Sequence, residues 1–476
     1  MKHLILAGSL GLVLSGPSTV HAGKAALFHD SIALAPGDLE VRVAGAAVRG
    51  DGSWVTLGAR LDETLHEALY LVARDRDGAR LAARALPSNA GHAQVPQSLV
   101  ALGDGDVLAA SLEYDDSAGP RRLFVTRLDA DLLPVWSVRL NLPQASFESV
   151  RLKTPASPGS AVRVLGEVQR SVDGVFGTGD GLLATIDPAD GSVLSAYTLG
   201  TADQERVVDW QTGDDGHDVL LLETARRTGP VSVESGDGLV SISKGGTLRG
   251  ARLIGHPGSA GIRARALALL PHPDGGWVIT GRRTAFGPNF FYLQRVGADL
   301  APAPARVLVP FFNAIDSAVH DGSVWLYGEA NGEAQHTGTV LMRLDADLAL
   351  RGQRRYLTDN GSFPSGAIAV AGGRALLALG ASRSGEKVFV FETVHTVDLA
   401  TAGAGLVCGE DHYAGFTPTT DTPVELAGWA PELRPLPDLV ANPMPALAEP
   451  LAVAAVGLCL AAEDALFRDG FEPPPR

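Results

Sequence analysis

Short apolar runs recur along most of the chain, each directly after a turn that contains glycine. Apolar positions within the runs repeat with a period of two, which is typical of β-strands. Counted from Gly52, successive glycine turns are 53, 54, 57, 59, 47 and 51 residues apart. The runs are DGSWVTLG from Asp51, GDVLAAS from Gly105, GSAVRVLG from Gly159, GHDVLLLE from Gly216, GGWVITG from Gly275, GSVWLYG from Gly322 and GRALLALG from Gly373.

A second apolar phrase follows each run after about 10–25 residues, the distance expected for the partner strand of a hairpin. Aspartate and glycine end most of these phrases and supply turn chemistry. The phrases are LYLVARDRDG (69–78), LFVTRLDADL (123–132), LLATIDPADG (182–191), LVSISKGG (239–246), FYLQRVGADL (291–300), VLMRLDADL (340–348) and VFVFETVHTVDL (388–399). A third apolar stretch often follows, as in PVWSVRL (134–140) and RGARLIG (249–255).

Each repeat leaves an apolar face that it cannot bury alone. Packing the sheets radially buries those faces, and closing the ring protects the strand edges. The repeats therefore predict an all-β fold, a seven-bladed β-propeller over residues 23–400. Paired two-sheet sandwiches and an open solenoid are the alternatives, and the irregular spacing disfavours the solenoid. We expect GKAALFHDSIAL (23–34) to supply the outermost strand of the last blade.

The repeat wording resembles that of bacterial secreted propellers with delta-60-type repeats, which pair a DG turn and an apolar run with a phrase ending in Asp-Gly. The best copies are SLVALGDGDVLAAS with LFVTRLDADL, and ALALLPHPDGGWVITG with FYLQRVGADL. Three copies depart from the pattern, because they end in Ala-Asp-Leu. The resemblance covers most of residues 40–400 and implies an exported propeller. It implies no activity common to the family.

Residues 401–476 differ in character from the repeats. They hold 11 of the 30 prolines, and their charge is 3 basic minus 11 acidic residues, or −8. Proline removes backbone donors, so the stretch 417–450 forms neither a long helix nor a central strand. We expect an extended strap over the propeller. The final LFRDGFEPPPR (466–476) resembles a DGFE-type tail of secreted bacterial proteins, and a frayed acidic terminus is the alternative.

Residues 1–22 have the pattern of a secretory signal peptide. Lys2 precedes an apolar stretch at 4–16, and Val20-His21-Ala22 resembles a cleavage site. A second apolar stretch, PLAVAAVGLCLAA (450–462), is too short to span a bilayer. We therefore expect a secreted or periplasmic protein with no transmembrane segment. In that oxidising setting Cys408 and Cys459 are expected to pair, with two free thiols as the alternative.

Composition excludes several classes of protein. Hydrophobic residues make up 45% of the 476 residues, which allows a sizeable core and excludes wholesale disorder. The formal net charge is −15, and removing the signal peptide with its one lysine gives −16. An acidic chain lacks the basic footprint that nucleic acid requires. Two cysteines alone provide neither a disulfide scaffold nor a cysteine-based zinc site.

Two common catalytic motifs are absent from the sequence. It contains no G-x-S-x-G nucleophile elbow and no H-E-x-x-H, and the 12 histidines are scattered. His272 in PHPDGG is expected to be a solvated turn residue, with a metal role as the alternative. The glycine-rich GTGDG (177–181) lacks a phosphate-loop lysine and is predicted to be a loop.

Two further features have a structural and a functional interpretation. DRDG (75–78) and DGD (104–106) faintly resemble calcium loops, but turn-forming aspartate explains them without an ion. Trp54, Trp277 and Trp325 occupy similar places in three repeats. We favour packing between sheets over a platform for sugar stacking.

LLATIDPADGSVLSAYTLG (182–200) is similar to a blade repeat of quinoprotein dehydrogenases, which are exported propellers that use pyrroloquinoline quinone and calcium. Those enzymes usually have eight blades, and this sequence shows neither their vicinal cysteine pair nor a metal triad. The leading hypothesis is a secreted, non-catalytic binding or scaffold protein without cofactor or metal. We expect a monomer with an unknown protein or glycan ligand. A periplasmic quinoprotein-like or polysaccharide-hydrolysing enzyme is the alternative, and the sequence identifies no catalytic residue.

Overall fold

The computed structural model describes residues 29–455, apart from a set of short intervals. These are 34–39, 62–66, 87–91, 116–119, 155–159, 173–174, 214, 228–232, 245, 256–262, 285–288, 310–311, 331–337, 358–361, 383–390, 400–409, 413–416, 422–423, 426–428, 446 and 452–453. All regular elements in the described residues are β-strands. No helix long and apolar enough to cross a membrane occurs among them.

The longer strands, in chain order, are β1 (His29–Ala33), β2 (Glu40–Val48), β3 (Trp54–Leu61), β4 (Glu67–Arg74), β5 (Arg80–Leu86), β6 (His92–Ala101), β7 (Val107–Asp115), β8 (Arg122–Leu128), β9 (Pro134–Asn141), β10 (Ala145–Lys153), β11 (Val162–Val172), β12 (Val175–Ile186), β13 (Val193–Gly200), β14 (Gln204–Thr212), β15 (Asp218–Arg227), β16 (Val233–Ile242), β17 (Leu248–Gly255), β18 (Arg263–Pro271), β19 (Trp277–Thr284), β20 (Asn289–Val296), β21 (Ala305–Val309), β22 (Phe312–His320), β23 (Ser323–Ala330), β24 (Gly338–Leu344), β25 (Leu350–Leu357), β26 (Ser362–Ala371), β27 (Arg374–Ser382) and β28 (Phe391–Asp398). Shorter strands follow: β29 (Glu410–His412), β30 (Thr417–Asp421), β31 (Val424–Glu425), β32 (Glu432–Pro435), β33 (Val440–Pro443), β34 (Glu449–Pro450) and β35 (Ala454–Ala455).

These strands form six antiparallel sheets arranged as a β-propeller, which confirms the prediction of an all-β propeller fold. Within a sheet, four strands follow one another as a meander, for example β10-β11-β12-β13. The repeated glycine runs of the sequence are the second strands of these meanders, and the second phrases are the third strands. Tight turns, several with glycine at positive φ, join them; Gly105 has a φ of 95°.

Five sheets have five strands each, and the sixth has ten. The large sheet contains the meander β2–β5 and a second group, β26, β27, β28 and β1, joined through the residue pair Glu40–Ser382. Strand β1 from the N-terminal segment pairs with β28, as predicted for residues 23–34. It is not the outermost strand, however, because β35 pairs with its other edge.

The first strand of each four-stranded group, called a first strand here, lies next to the centre of the molecule. Each of β2, β6, β10, β14, β18, β22 and β26 contacts the first strand on either side. Each also carries a β-bulge, which increases local twist. The bulges lie at Val43/Gly45, Pro96/Ser98, Phe147/Ser149, Val207/Asp209, Ala266/Ala268, Ala314/Asp316 and Ser362/Ser365.

The hydrophobic core lies between neighbouring sheets. One cluster, for example, joins Leu108 and Val125 of the β6 sheet to Val164 and Ala184 of the β10 sheet. Because these faces are apolar on both sides, each sheet is stabilised by the next one around the ring.

The strands β29–β35, called the belt here, lie on the outside of the propeller. Each pairs with the outermost strand of one meander, in the order β25, β21, β17, β13, β9, β5 and β1. Prolines such as Pro435 and Pro443 lie in these strands, where an edge position tolerates the missing donor. The belt thereby covers sheet edges that exposed strands leave open to aggregation.

Candidate functional site

The two ends of the ring present different residues. At one end, called the entry end, the first strands begin and the second strands finish. At the other, called the turn end, lie the turns from first to second strands and from third to fourth strands. The central channel between them is lined by the first strands.

Three arginines and one glutamate, called the arginine group, lie near the entry end. Arg206 on β14 is opposite Glu223 on β15, and Arg265 on β18 is opposite Arg282 on β19. Glu223 Oε2 accepts a hydrogen bond from Arg206 and lies 3.7 Å from Arg265 Nε. Within this group the three arginines outnumber the one carboxylate, and the Glu167 carboxylate also acts electrostatically on Arg206. Like charges directly opposite each other destabilise an antiparallel pair, so packing does not explain the Arg265–Arg282 pair.

Burial and repulsion act on the same arginines. Burial lowers the pKa of Arg206, Glu223 opposes that shift, and Arg265 adds to it. Burial and the charge of Arg265 also lower the pKa of Arg282. Guanidinium groups nevertheless remain protonated in proteins, so the excess charge persists. The Arg265 side chain is 46% exposed, which leaves it accessible to a ligand.

A second set of charged side chains lies on the first strands beside this group. Lys153 Nζ lies 2.8 Å from Asp209 Oδ1, and Arg151 lies 3.6 Å from Asp316 Oδ1. Arg151 also donates to the Leu267 carbonyl at 2.7 Å, which links the β10 and β18 strands across the channel. Burial raises the pKa of Asp316, and Arg151 opposes that shift. The two basic and the two acidic side chains of this set balance each other in charge.

The two channel aspartates also join neighbouring first strands. Asp209 Oδ2 accepts a hydrogen bond from the backbone N–H of Leu269 at 2.8 Å. Asp316 Oδ2 accepts one from the backbone N–H of Ile368 at 3.2 Å. Both aspartates directly follow a bulge, so one structural device recurs in two sheets. Their role is to satisfy backbone donors on the unpaired inner edges of the first strands.

Across the entry end, the β2 and β6 sheets carry further polar side chains. Arg42 lies 2.7 Å from Glu40 and 2.6 Å from Glu67. The Tyr114 hydroxyl donates to Glu67 at 3.4 Å, and burial followed by the Glu67 charge raises the pKa of this tyrosine.

One carboxylate–histidine pair also lies at this end. His92, the first residue of β6, has Nδ1 at 3.5 Å from Glu113 Oε1, and the Glu113 side chain is buried. The sequence analysis found neither this pair nor the arginine group. Both are assembled by cross-strand register from residues far apart in the chain, and only the unusual density of arginine in RAR (263–265) and GRR (281–283) pointed toward the arginine group.

His272 lies in a turn, as predicted, but the prediction that it is solvated is wrong. Its side chain is buried, and Nε2 lies 2.7 Å from the carbonyl oxygen of Ala346. Nδ1 accepts a hydrogen bond from the backbone N–H of Asp274 at 3.1 Å. These partners assign the proton to Nε2, so His272 ties two turns of neighbouring sheets together.

The prediction of a loop at GTGDG (177–181) is also wrong, because these residues lie within β12. Gly179 faces the Glu167 side chain so closely that a Cβ would overlap the carboxylate. A Cβ on Gly181 would lie 2.9 Å from the Leu199 carbonyl oxygen. The glycines therefore allow close approach inside the sheet, and they form no phosphate-binding turn.

The packing interpretation of the tryptophans is confirmed, and the aspartates of the acidic turns accept hydrogen bonds as turn formers do. Trp54, Trp277 and Trp325 are buried in core clusters. Asp75 Oδ1 accepts backbone hydrogen bonds within its own turn, and Asp104 does the same in the DGD turn. In the part of the chain that the structure describes, no group of three or more potential ligands could hold a metal ion.

The signal segment 1–22, the tail 466–476 and the predicted disulfide partners Cys408 and Cys459 lie outside the described residues. Their predictions therefore remain predictions.

No family model and no curated protein matches the chain. Solved structures of similar fold include a protein of unknown function from Dyadobacter fermentans, with a TM-score of 0.46, 13% identity, and coverage of 77% of this chain and 98% of that one. The polysaccharide lyase Uly1 has a TM-score of 0.46 and 8% identity over 78% and 99%. The β-propeller domain of the Trilobed protease from Pyrococcus furiosus has a TM-score of 0.43 and 8% identity over 78% and 99%. With identities of 13% or less and TM-scores below 0.5, these similarities assign no activity to this chain.

Proposed function

We propose that the chain is an exported seven-bladed β-propeller that binds an anionic glycan at the entry end of its channel without altering it chemically. Two observations support the blade count. Two four-stranded groups in the large sheet share one residue pair, and the first strands contact each other in a closed cycle of seven. Export is supported by the signal-like residues 1–22 and by the resemblance to secreted delta-60-type repeats.

The observation that carries the binding proposal is the net positive arginine group in a chain of net charge −15. Repulsion between Arg265 and Arg282 raises the free energy of the folded protein when no ligand is bound. A carboxylate between them removes that cost and gains charge-assisted hydrogen bonds, because the guanidinium fork matches carboxylate geometry.

A sugar acid suits the polar groups beside the arginines. Gln204 is exposed and lies two residues before Arg206 on the same strand, so both side chains lie on one face. Its Nε2 donates to Glu167 Oε1 at 2.9 Å, which leaves the carbonyl oxygen and the second N–H for a hydroxyl group. Arginine for the carboxylate and glutamine for hydroxyl groups together favour a uronate-containing glycan over a bare inorganic anion.

Calorimetric titration with a uronic acid trisaccharide and its carboxyl-reduced, neutral counterpart tests this proposal. We expect the acidic sugar alone to bind, with an affinity that falls as salt rises. Arg265→Gln is expected to weaken binding at least tenfold, on the order of 1.4 kcal/mol. Arg351→Gln, at an exposed turn-end arginine that pairs with Asp345, is the matched control and should leave binding unchanged. Equal binding of both sugars would refute the proposal.

The enzymatic alternative is favoured by one observation, the His92–Glu113 pair at the entry end. A histidine close to a buried carboxylate is a common arrangement for general base catalysis. If the protein cleaves glycans, acidic oligosaccharides should shorten on incubation, and His92→Gln should abolish that cleavage while leaving calorimetric binding intact. Unchanged oligosaccharides after prolonged incubation with the wild-type protein would exclude this alternative for the substrates tested.

A further inference from the structure

The interface between the meanders β2–β5 and β6–β9 changes in character along the strands. Toward the turn end it is an apolar core that includes Val55, Leu71, Val107 and Leu128. Beside this core, in the direction of the entry end, lies a cavity with a volume of about 50 Å³. The described residues that line the cavity carry no charge.

The wall that β6–β9 contribute to this cavity is polar. Gln94, Ser111, Thr126 and Ser137 come from its four strands in order, and each is at least nine-tenths buried. Thr126 and Ser137 share a hydrogen bond of 2.9 Å between their hydroxyl oxygens. Within the part of the chain that the structure describes, the side chains of Gln94 and Ser111 have no hydrogen-bond partner. Because buried polar groups are nearly always paired, these two side chains point to a partner inside the cavity.

A related place in another sheet shows how such a polar position is satisfied within the protein. Ser111 is the fifth residue of β7 and lies opposite Phe124, whereas Gly281 is the fifth residue of β19 and lies opposite Tyr292. The Tyr292 hydroxyl packs over Gly281 and donates to Asp237 of the preceding sheet at 2.8 Å. In the β6 sheet the phenylalanine has no hydroxyl group, and the serine hydroxyl borders the cavity instead.

The opposite wall is apolar, and the cavity is small. Leu69 of β4 and Leu86 of β5 lie opposite each other and form this wall. A buried water needs about 10–15 Å³ of such space, so the cavity has room for about four waters, or about 120 Å³ of liquid. A polyol of three or four carbons has this size.

We propose that this cavity is a second binding site of the protein, which takes a short neutral polyol of three or four carbons. The hydroxyl groups of the polyol pair with the Gln94 amide and the Ser111 hydroxyl, and its C–H groups contact Leu69 and Leu86. A charged ligand is excluded, because a carboxylate would be buried here without a cationic partner among the described lining residues.

The cavity reaches solvent at the belt. Met444 and Leu447 line its outer end, and Leu447 is 70% exposed. The Met444 backbone N–H donates to the carbonyl oxygen of Ser137 at 2.9 Å, which fixes the belt beside the cavity. The ligand therefore enters between the belt and the outer strands, away from the arginine group on β14, β15, β18 and β19.

Methionine provides a specific reporter of this site. The chain has three methionines, Met1, Met342 and Met444, and Met342 lies fully buried in the core of the β22 sheet. In the full chain labelled with ¹³C at the methionine methyl groups, glycerol and erythritol should shift the Met444 signal saturably and leave the Met342 signal in place. Met444→Leu identifies the signal. Sorbitol is too large and glycerate is charged, so neither should produce a saturable shift.

Two substitutions test the polar contacts. Ser111→Ala and Gln94→Leu should each weaken glycerol binding about fivefold. Their melting temperatures without glycerol should equal or exceed that of wild type, because each removes an unpaired buried polar group. Thr280→Val is the matched control, since it breaks a similar hydroxyl pair, 3.0 Å from Ser317, outside the cavity, and it should leave glycerol binding unchanged.

Three results would overturn the proposal: no saturable shift of Met444 with any neutral polyol, an equal shift of Met342, or the same loss of binding in Thr280→Val as in Ser111→Ala. Arg265→Gln should bind glycerol as wild type does. The glycan proposal and the polyol proposal can therefore fail independently of each other.

Discussion

The turn end and the entry end of the propeller use charge in different ways. At the turn end, a carboxylate usually has local partners: Asp129 accepts backbone hydrogen bonds from Asp131 at 2.9 Å and Leu133 at 2.8 Å. At the entry end, Arg265 is opposite another arginine and shares the Glu223 carboxylate of the neighbouring sheet with Arg206. Charge that is satisfied by its own turn is part of the fold, whereas charge left in excess on a channel mouth favours a ligand.

The turn end should be the more sensitive to substitution, and Leu132 should show the largest effect. It is fully buried and has a φ of 61°, a left-handed conformation that costs a leucine about 1–2 kcal/mol. The free energy gained by burying the leucine side chain outweighs that cost. We expect Leu132→Ala to destabilise the protein by about 3 kcal/mol, measured by urea unfolding.

The glycine variant separates strain from burial at the same position. Gly78 has the corresponding place in an earlier turn, with a φ of 95° and the same turn hydrogen bond. Leu132→Gly should therefore be more stable than Leu132→Ala by about 1 kcal/mol, the reverse of the usual order. A less stable glycine variant would show that the left-handed turn is not strained.

Three substitutions compare the two ends directly. Asp129→Ala removes two backbone hydrogen bonds and should cost about 1 kcal/mol, whereas Asp129→Asn keeps an acceptor and should cost less. Arg265→Gln relieves repulsion with Arg282, so its stability should stay within about 0.5 kcal/mol of wild type. Thermal unfolding of the three variants measures both effects. A large loss of stability in Arg265→Gln would make this arginine structural and weaken the case for a ligand site.

The repeated pattern predicted the strands because period-two apolar runs and glycine turns are local signals. The Ala-Asp-Leu copies also fold as predicted turns: Leu132, Leu300 and Leu348 occupy the left-handed position that glycine fills elsewhere. Nothing local in these copies signals that burial of leucine compensates for the absent glycine.

The site was not predictable in the same way. Arg206 and Glu223 are brought together by the register of β14 and β15, and Arg265 reaches them from the next sheet. Such contacts depend on which sheets are neighbours, and a linear motif carries no such information. His272 illustrates the same limit, because its partner Ala346 lies 74 residues away on another turn.

The smallest effects should appear in the pH dependence of stability, with opposite signs at the two ends. Near the entry end, burial raises the pKa of Glu167, which accepts hydrogen bonds from Gln169 and Gln204 on one oxygen. At the turn end, the backbone N–H of Ser192 lowers the pKa of the exposed Asp190.

The signs follow from which state binds the proton more tightly. Folded protein holds the Glu167 proton more tightly than unfolded protein does, so Glu167 costs stability once pH rises above the unfolded-state pKa of about 4.3. Glu167→Gln should therefore melt higher than wild type at pH 7, and the difference should vanish toward pH values of about 4. Asp190 contributes stability above about pH 3.9 and loses it as pH falls through its lowered folded-state pKa, so Asp190→Asn should melt slightly lower at pH 7 and converge with wild type in acid. Melting temperatures across this pH range measure both differences. If both variants changed the melting temperature at pH 7 in the same direction, the expected difference between the carboxylates of the two ends would be refuted.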